Sequence, residues 1–423
     1  MGQQDFDFVT VGSPLHDAAA LRQALEPYLA ALTALGGRER REDALSGPGP
    51  VAIVVATGGT ESAVLRLRAL REATSPGDPL LIVTIPAHNS LPAALEALAR
   101  VRQEEGRGRI VHLASPDDAE GLARVGDAIE DLRVLEKLCR SRIGLVGVPS
   151  DWLVASVPAA EAVRETWGPE TVSVDLGSVL EAPLREPDER ALALAGSFSA
   201  GASATREPEM AGLRKATTVH GALAALMEEE RLDAVAVRCF DLVTGRGTSG
   251  CLALSALNDA GLVAACEGDL ASAVGMLWVK ELLGTASWMA NPSHADASTG
   301  LLRLAHCTIA RSLVTGWELR SHFESGLGVA IAGDLPPGPV TLFRLGGRKL
   351  ERIFLAEGEA IPIPRREDLC RTQVDVRLEP AAIAELLARP LGNHLLLVPG
   401  RRAARLRSWW EWAVASPVPG RPD

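Results

Sequence analysis

Where the apolar run Gly261-Leu262-Val263-Ala264-Ala265-Cys266 meets Glu267-Gly268-Asp269, a β-type segment ends on two carboxylates and an apolar helical stretch begins at once. Acids at the carboxyl end of a strand are held by rigid backbone, which is where an α/β protein can use them for proton transfer or cation binding. Asp269 stands where a helix needs an N-cap, a duty that explains it without any chemistry. Glu267 has no such local task, and a carboxylate approached through apolar residues needs a metal or a charged partner. Asp241, in Arg238-Cys239-Phe240-Asp241, follows another apolar run and reads either as a turn residue or as an acid/base group. His306, in Leu304-Ala305-His306-Cys307, is a lone imidazole in an apolar strand: a hydrogen-bonded core residue or a ligand to metal or substrate. Arg320 and Arg371 precede β-type runs. Their planar forks match carboxylate, phosphate or sulfonate, so convergence of the two on one pocket would select an anionic substrate; structural ion pairs explain them equally well.

The elements that must hold these groups follow from periodicity. Phe8–Val11, Val51–Ala56, Leu80–Ile85 and Ile110–Leu113 are apolar, β-branched runs separated by Ala/Leu/Arg-rich helical stretches, the pattern of a parallel sheet covered by helices. Two of these strands close on polar turns, Thr57-Gly58-Gly59-Thr60 and His88-Asn89-Ser90. Turns beyond the carboxyl ends of parallel strands are candidate ligand contacts, and His88 and Asn89 are taken as such; plain turn chemistry is the competing account. A second alternating unit starts near Arg142 and includes runs at 143–148, 172–176, 233–237 and 262–266. Within it, the Gly/Ser/Ala-rich stretch Gly196–Ala204 is expected to be a mobile loop. After about Trp288 the texture changes to short β-type runs punctuated by Gly and Pro, spaced like an antiparallel sheet or small barrel, with a final helix over Arg401–Ala415. The expected fold class is therefore α/β, with two Rossmann-like α/β domains over 1–140 and 141–285 followed by a mainly antiparallel β domain over 286–423.

Composition narrows the function classes. A formal charge of −11 and the absence of any sustained basic run argue against nucleic acid as a partner. No G-x-G-x-x-G fingerprint points to a dinucleotide. The six cysteines show no C-x-x-C spacing, and several lie in apolar runs, so buried thiols in a reducing compartment are expected. No segment has the ~18 uninterrupted apolar residues of a membrane span, and a cytoplasmic protein with no membrane partner is expected.

Five segments in order, Asn258-Asp259-Ala260-Gly261, Ala265-Cys266-Glu267-Gly268-Asp269, Trp288-Met289-Ala290-Asn291-Pro292, Leu304-Ala305-His306-Cys307 and Gly392-Asn393-His394, resemble successive blocks of the L-fucose/L-arabinose isomerase superfamily. The resemblance is to its short fucose-isomerase-like branch and covers roughly the last 180 residues; the N-terminal half matches by layout, length and the His88-Asn89-Ser90 turn. It implies a homo-oligomer, trimeric or hexameric, that interconverts an aldose and a ketose through an enediol, with a divalent cation, most often Mn²⁺, polarising the substrate oxygens. By block matching the metal ligands fall on Glu267, Asn291 and His394. Catalytic roles fall to Glu267 with Asp269 or Asp241, and sugar contacts to His306, Arg371, His88 and Asn89. Asn291 stands where the family carries an acid. An amide cannot ionise and can only lend a neutral oxygen to a hard cation. The same departure gives the alternative expectation, a sugar-binding or regulatory relative that lost catalysis.

Overall fold

The computed structural model describes residues 5–415, apart from 43, 44, 46, 48, 76 and 182–188. The chain forms two compact units, Met1–Lys137 with Ser408–Asp423, and Leu138–Arg407.

The first unit is built on strands β1 (Phe6–Val11), β2 (Gly37–Glu39), β3 (Val51–Val55), β4 (Leu80–Thr84) and β5 (Gly108–His112). They pair in parallel in the order β2-β1-β3-β4-β5. Strands buried on both faces read as continuous apolar runs, and every residue of Leu-Leu-Ile-Val-Thr in β4 is buried. Trp412, from the terminal helix Ala403–Ala413, packs into the same core as Phe8, Val54 and Val83. This contact ties the last turns of the chain to the first sheet.

The second unit holds a parallel sheet of β6 (Arg142–Val146), β7 (Glu170–Val174), β8 (Ala234–Val237) and β9 (Val263–Ala265), ordered β7-β6-β8-β9. It continues into β10 (Trp288–Asp296), β11 (Leu301–His306), β12 (Trp317–Arg320), β13 (Ala330–Gly333), β14 (Gly338–Gly346), β15 (Arg352–Ile361), β16 (Thr372–Leu378) and β17 (Leu395–Pro399). Six of these close an antiparallel barrel, β10-β11-β16-β15-β14-β17, while β12 and β13 form a separate ribbon. The fold class is α/β, with two Rossmann-like parallel sheets and a C-terminal antiparallel β region. Closure removes the exposed sheet edges that an open antiparallel sheet would carry. The barrel core alternates along its strands, with Leu302 and Leu304 from β11, Val374 and Val376 from β16, and Leu395 and Leu397 from β17 in one apolar cluster. His306 continues the two-residue rhythm of Leu302 and Leu304 and so stands at the end of that inward-facing row.

Gly196–Ala204 is a correction. Helix Glu189–Gly201 covers most of it, with Ala195 and Phe198 buried, because Ala-rich sequence with an apolar face propagates a helix despite its small residues. Among the described residues no helix is long and apolar enough to cross a membrane.

Candidate metal centre and active site

Three elements of the second unit bring the central residues together. Strand β9 ends at Ala265, and the chain turns through Glu267 and Gly268 in the left-handed region, at φ of 63° and 70°. A non-glycine residue there is uncommon and costs energy, of order 1–3 kcal/mol. The turn is pinned from both sides: the Ser150 N–H donates to the Glu267 carbonyl at 2.9 Å and the Gly268 N–H to the Val237 carbonyl at 2.9 Å. A Cβ at position 268 would lie 2.8 Å from the Pro149 Cα, so only glycine fits. The strained turn aims a carboxylate that is only 7% exposed into the interior.

There it meets two imidazoles. Nε2 of His394 is 3.4 Å from Glu267 Oε1, Nε2 of His306 is 3.9 Å from the same oxygen, and the two rings meet edge to face at 5.6 Å. Candidate ligating atoms of Glu267, His306 and His394 all fall within 4.8 Å of one another. Burial acts to raise the pKa of Glu267, but the imidazoles of His306 and His394 outweigh it and hold the carboxyl well below the usual range. The other carboxylate oxygen, Oε2, accepts the indole N–H of Trp152 at 2.5 Å.

Asp269 sits behind His394 and is fully buried. It caps helix Leu270–Leu283 by accepting the Ser272 N–H at 2.8 Å, as the N-cap account expects. It also accepts the Ser272 hydroxyl at 2.8 Å, Arg344 at 2.9 Å, and contacts Nδ1 of His394 at 2.8 Å. Burial pushes the Asp269 pKa up; Arg344 and His394 reverse this, and the group stays ionised. Arg344, 1% exposed, reaches Asp269 from β14 and also donates to Ser156 Oγ at 2.7 Å.

These contacts determine which atoms face the open middle of the cluster. An ionised Asp269 only accepts, so Nδ1 of His394 carries a proton, and when the ring is neutral Nε2 is the atom that presents a lone pair. Nε2 is buried and has no hydrogen-bond partner, since its 3.4 Å contact with Glu267 lacks hydrogen-bond geometry. A lone pair opposite a carboxylate calls for a cation between them. Nδ1 of His306 is likewise engaged, with Thr308 Oγ1 at 2.9 Å, leaving its Nε2 on the cluster side. The donor set of two imidazoles and one carboxylate, with a carboxylate orienting one imidazole from behind, fits a divalent first-row cation. In its absence a proton takes that role. Burial acts to lower the His394 pKa, but Asp269 and Glu267 raise it above the ordinary histidine value.

The remaining candidates occupy defined places. Asn291 is half-buried on β10, across the ladder from Ala305, the residue before His306. Asp241, half exposed, opens helix Phe240–Arg246, accepts Arg238 at 2.9 Å and lines a cleft of ≈ 510 Å³ at the carboxyl ends of β6 and β7. Arg371 lies just before β16, and its backbone N–H points at Cys307 Sγ at 3.5 Å, one residue from His306. His88 and Asn89 belong to the first unit, where both adopt left-handed backbone after β4 and both are exposed. The expected buried thiols are present at Cys239 and Cys266, whose sulfurs touch at 2.8 Å.

Three contributors escaped the sequence reading. Trp152 is more than a hundred residues from Glu267 and carries no local signal. Ser156 is equally silent. Arg344 did leave one: in Val340-Thr341-Leu342-Phe343-Arg344-Leu345 a single charge interrupts an apolar strand and must find a buried partner.

No protein-family model matches the chain. It is 26% identical over 295 residues to the sulfoquinovose isomerase of Alkalicoccus urumqiensis, covering 67% of this chain and 66% of that protein. It is 25% identical over 303 residues to the sulfoquinovose isomerase of Priestia megaterium, covering 68% and 66%. A shorter match, 31% over 155 residues, relates it to the sulfoquinovose isomerase of Clostridium sp. (strain MSTE9), with 34% of each chain covered. The chain thus spans 66% of the length of the first two relatives, just under two thirds. Over about two thirds of its own length it is similar to sugar isomerases.

Proposed function

We propose that this protein is a metal-dependent aldose–ketose isomerase acting on a sulfonated sugar through an enediol, a member of the fucose/arabinose isomerase superfamily that works as a homo-oligomer of three-part subunits. The observation that carries the reading is the buried convergence of Glu267, His306 and His394, with one imidazole nitrogen left unpartnered toward the cluster. The sulfonated substrate is suggested by the names of the relatives, and the superfamily by the five ordered sequence blocks.

On this reading Glu267, His306 and His394 hold the cation, with the Asn291 amide at most an auxiliary oxygen. Held by these residues, a divalent ion such as Mn²⁺ would supply Lewis-acid polarisation of the sugar's carbonyl and hydroxyl oxygens, which makes the carbon-bound proton more acidic. Glu267, ionised and fixed at Oε2 by Trp152, takes the C2 proton of the aldose and returns it to C1 of the enediol. The hydroxyl proton that must pass from O2 to O1 is assigned to Asp241, a partly exposed carboxylate in the first turn of the helix after β8. Asp269 orients His394 and keeps its tautomer rather than touching sugar. The step needs no oxidant, since two protons move within one molecule.

Glu267→Gln is the direct test. The expected result is loss of proton exchange at C2 of sulfoquinovose, loss of bound Mn²⁺ by elemental analysis, and an unfolding midpoint close to that of the metal-free parent protein. Unchanged exchange would remove the reading. The neutral Asn291 favours a second one, sugar binding without catalysis, which predicts stoichiometric metal and sugar binding with no exchange at C2.

A further inference from the structure

Arg320 and Arg371 both reach one exposed carboxylate. Arg320, at the end of β12, has its side chain 8% exposed; Arg371 is 9% exposed. Glu367 is 74% exposed, yet it lies 2.8 Å from Arg320 and 3.1 Å from Arg371 through the same oxygen, Oε2. It belongs to the connection between Ile361, where β15 ends, and Thr372, where β16 begins.

The partners of the two arginines are unequal. Arg320 is held by Glu207 at 2.6 Å, and the Glu207 carboxylate is fixed in turn by the Ser321 backbone N–H at 3.0 Å. Arg371 has no second carboxylate among its described contacts: its Nε donates to the Ser321 carbonyl at 2.9 Å and its other nitrogen to the Ser321 hydroxyl at 3.4 Å. Two guanidinium groups balanced by Glu207 and Glu367 are neutral together; with Glu367 turned away, one positive charge remains between two anchored forks. An exposed glutamate on a loop is a weakly held partner, because water competes for both sides of the pair. Well-buried guanidinium groups pay heavily when left without an anion, so another acceptor is drawn in. Three acceptor oxygens of a sulfonate can serve both forks at once, whereas Glu367 uses both of its oxygens on Arg320 and reaches Arg371 only through one that Arg320 already holds.

Position adds to the argument. The Arg371 backbone touches Cys307, and Thr372 pairs with His306 across the β11–β16 ladder. The arginine pair therefore sits at the same end of the barrel as His306 and the cluster.

We propose that Arg320 and Arg371 form the binding site for the anionic group of the substrate, and that the Glu367 carboxylate is a stand-in that this group displaces. The proposal rests on the isomerase reading only for which anion is physiological; the site itself is read by binding. Methanesulfonate, sulfate and the neutral polyol glucitol are titrated calorimetrically into the parent protein, Glu367→Gln, and Glu367→Gln combined with Arg371→Gln. The expected outcome is methanesulfonate binding about tenfold tighter in Glu367→Gln than in the parent, a gain abolished by Arg371→Gln, with glucitol unaffected throughout. A sulfate response equal to that of methanesulfonate keeps the site and makes it a general oxyanion site. Equal methanesulfonate affinity in parent and Glu367→Gln, or a gain that survives Arg371→Gln, overturns it. A protein with no C2 exchange but an intact methanesulfonate pattern would fail the isomerase reading while leaving this site standing.

Discussion

Glu267, His306 and His394 illustrate how a few buried donors define a chemistry through what they lack. Asp269 supplies the proton acceptor for Nδ1 of His394, and nothing supplies one for Nε2. Metal and proton therefore compete for one place, which gives a pH signature. The His394 pKa is raised in the fold above its unfolded value of about 6.5. Its protonated form stabilises the metal-free protein fully below that unfolded value, and the contribution is lost as pH rises through the raised folded pKa. The lowered pKa values of Glu267 and Asp269 act in the opposite sense: their stabilisation is present above the unfolded carboxylate values and is lost only in strong acid. The expected outcome is that chelator-treated protein loses thermal stability as pH rises through and above neutrality, whereas Mn²⁺-loaded protein does not, and that Mn²⁺ affinity rises over the same interval. Thermal melts with and without chelator across pH 5 to 9 check this; parallel curves would count against a shared proton and metal site.

Elements hold these residues in place by contacts that can be broken singly. Arg344 and Asp269 form a fully buried pair linking β14 to the start of helix Leu270–Leu283. Removing one member strands the other charge, so Arg344→Met is expected to cost about 3–5 kcal/mol by urea denaturation. The same helix packs on the barrel at Gly275, where a Cβ would meet Leu396 at 2.6 Å and Phe343 at 3.2 Å. Gly275→Val overpacks that contact and is expected to cost about 1–3 kcal/mol, with reduced metal affinity because the Asp269 cap moves with the helix. Metal titration of that variant beside its urea curve separates the two effects. Gly275 looks unremarkable in Ala271-Ser272-Ala273-Val274-Gly275-Met276, where a glycine ordinarily marks only weakened helix propensity.

At the scale of the whole molecule, the division into two compact units has a thermodynamic consequence. All three candidate ligands lie in Leu138–Arg407. A ligand that binds only the folded form stabilises by about 2.7 kcal/mol at a hundredfold excess over Kd. Calorimetric unfolding is expected to resolve two transitions, of which only one moves when Mn²⁺ is added; a uniform shift of both would contradict independent units.

The sequence by itself determined the elements with strong local patterns: the runs that became β1, β3, β4 and β5, the second alternating unit beginning at Arg142, and the change to β texture after Trp288. Local patterning also singled out Glu267 as a carboxylate with no structural excuse and Asp269 as a helix cap. It offered a small barrel beside an open antiparallel sheet and could not choose between them, since closure depends on pairing β10 with β17 from opposite ends of the region. Nor could it bring Trp152 to Glu267, Arg344 to Asp269, or Glu367 between Arg320 and Arg371, because each contact joins side chains whose proximity depends on strand register and turn geometry. Periodicity reports which face of an element is buried; only the assembled tertiary structure decides which buried or half-buried polar groups meet, and so which atom is left needing a cation or an anion.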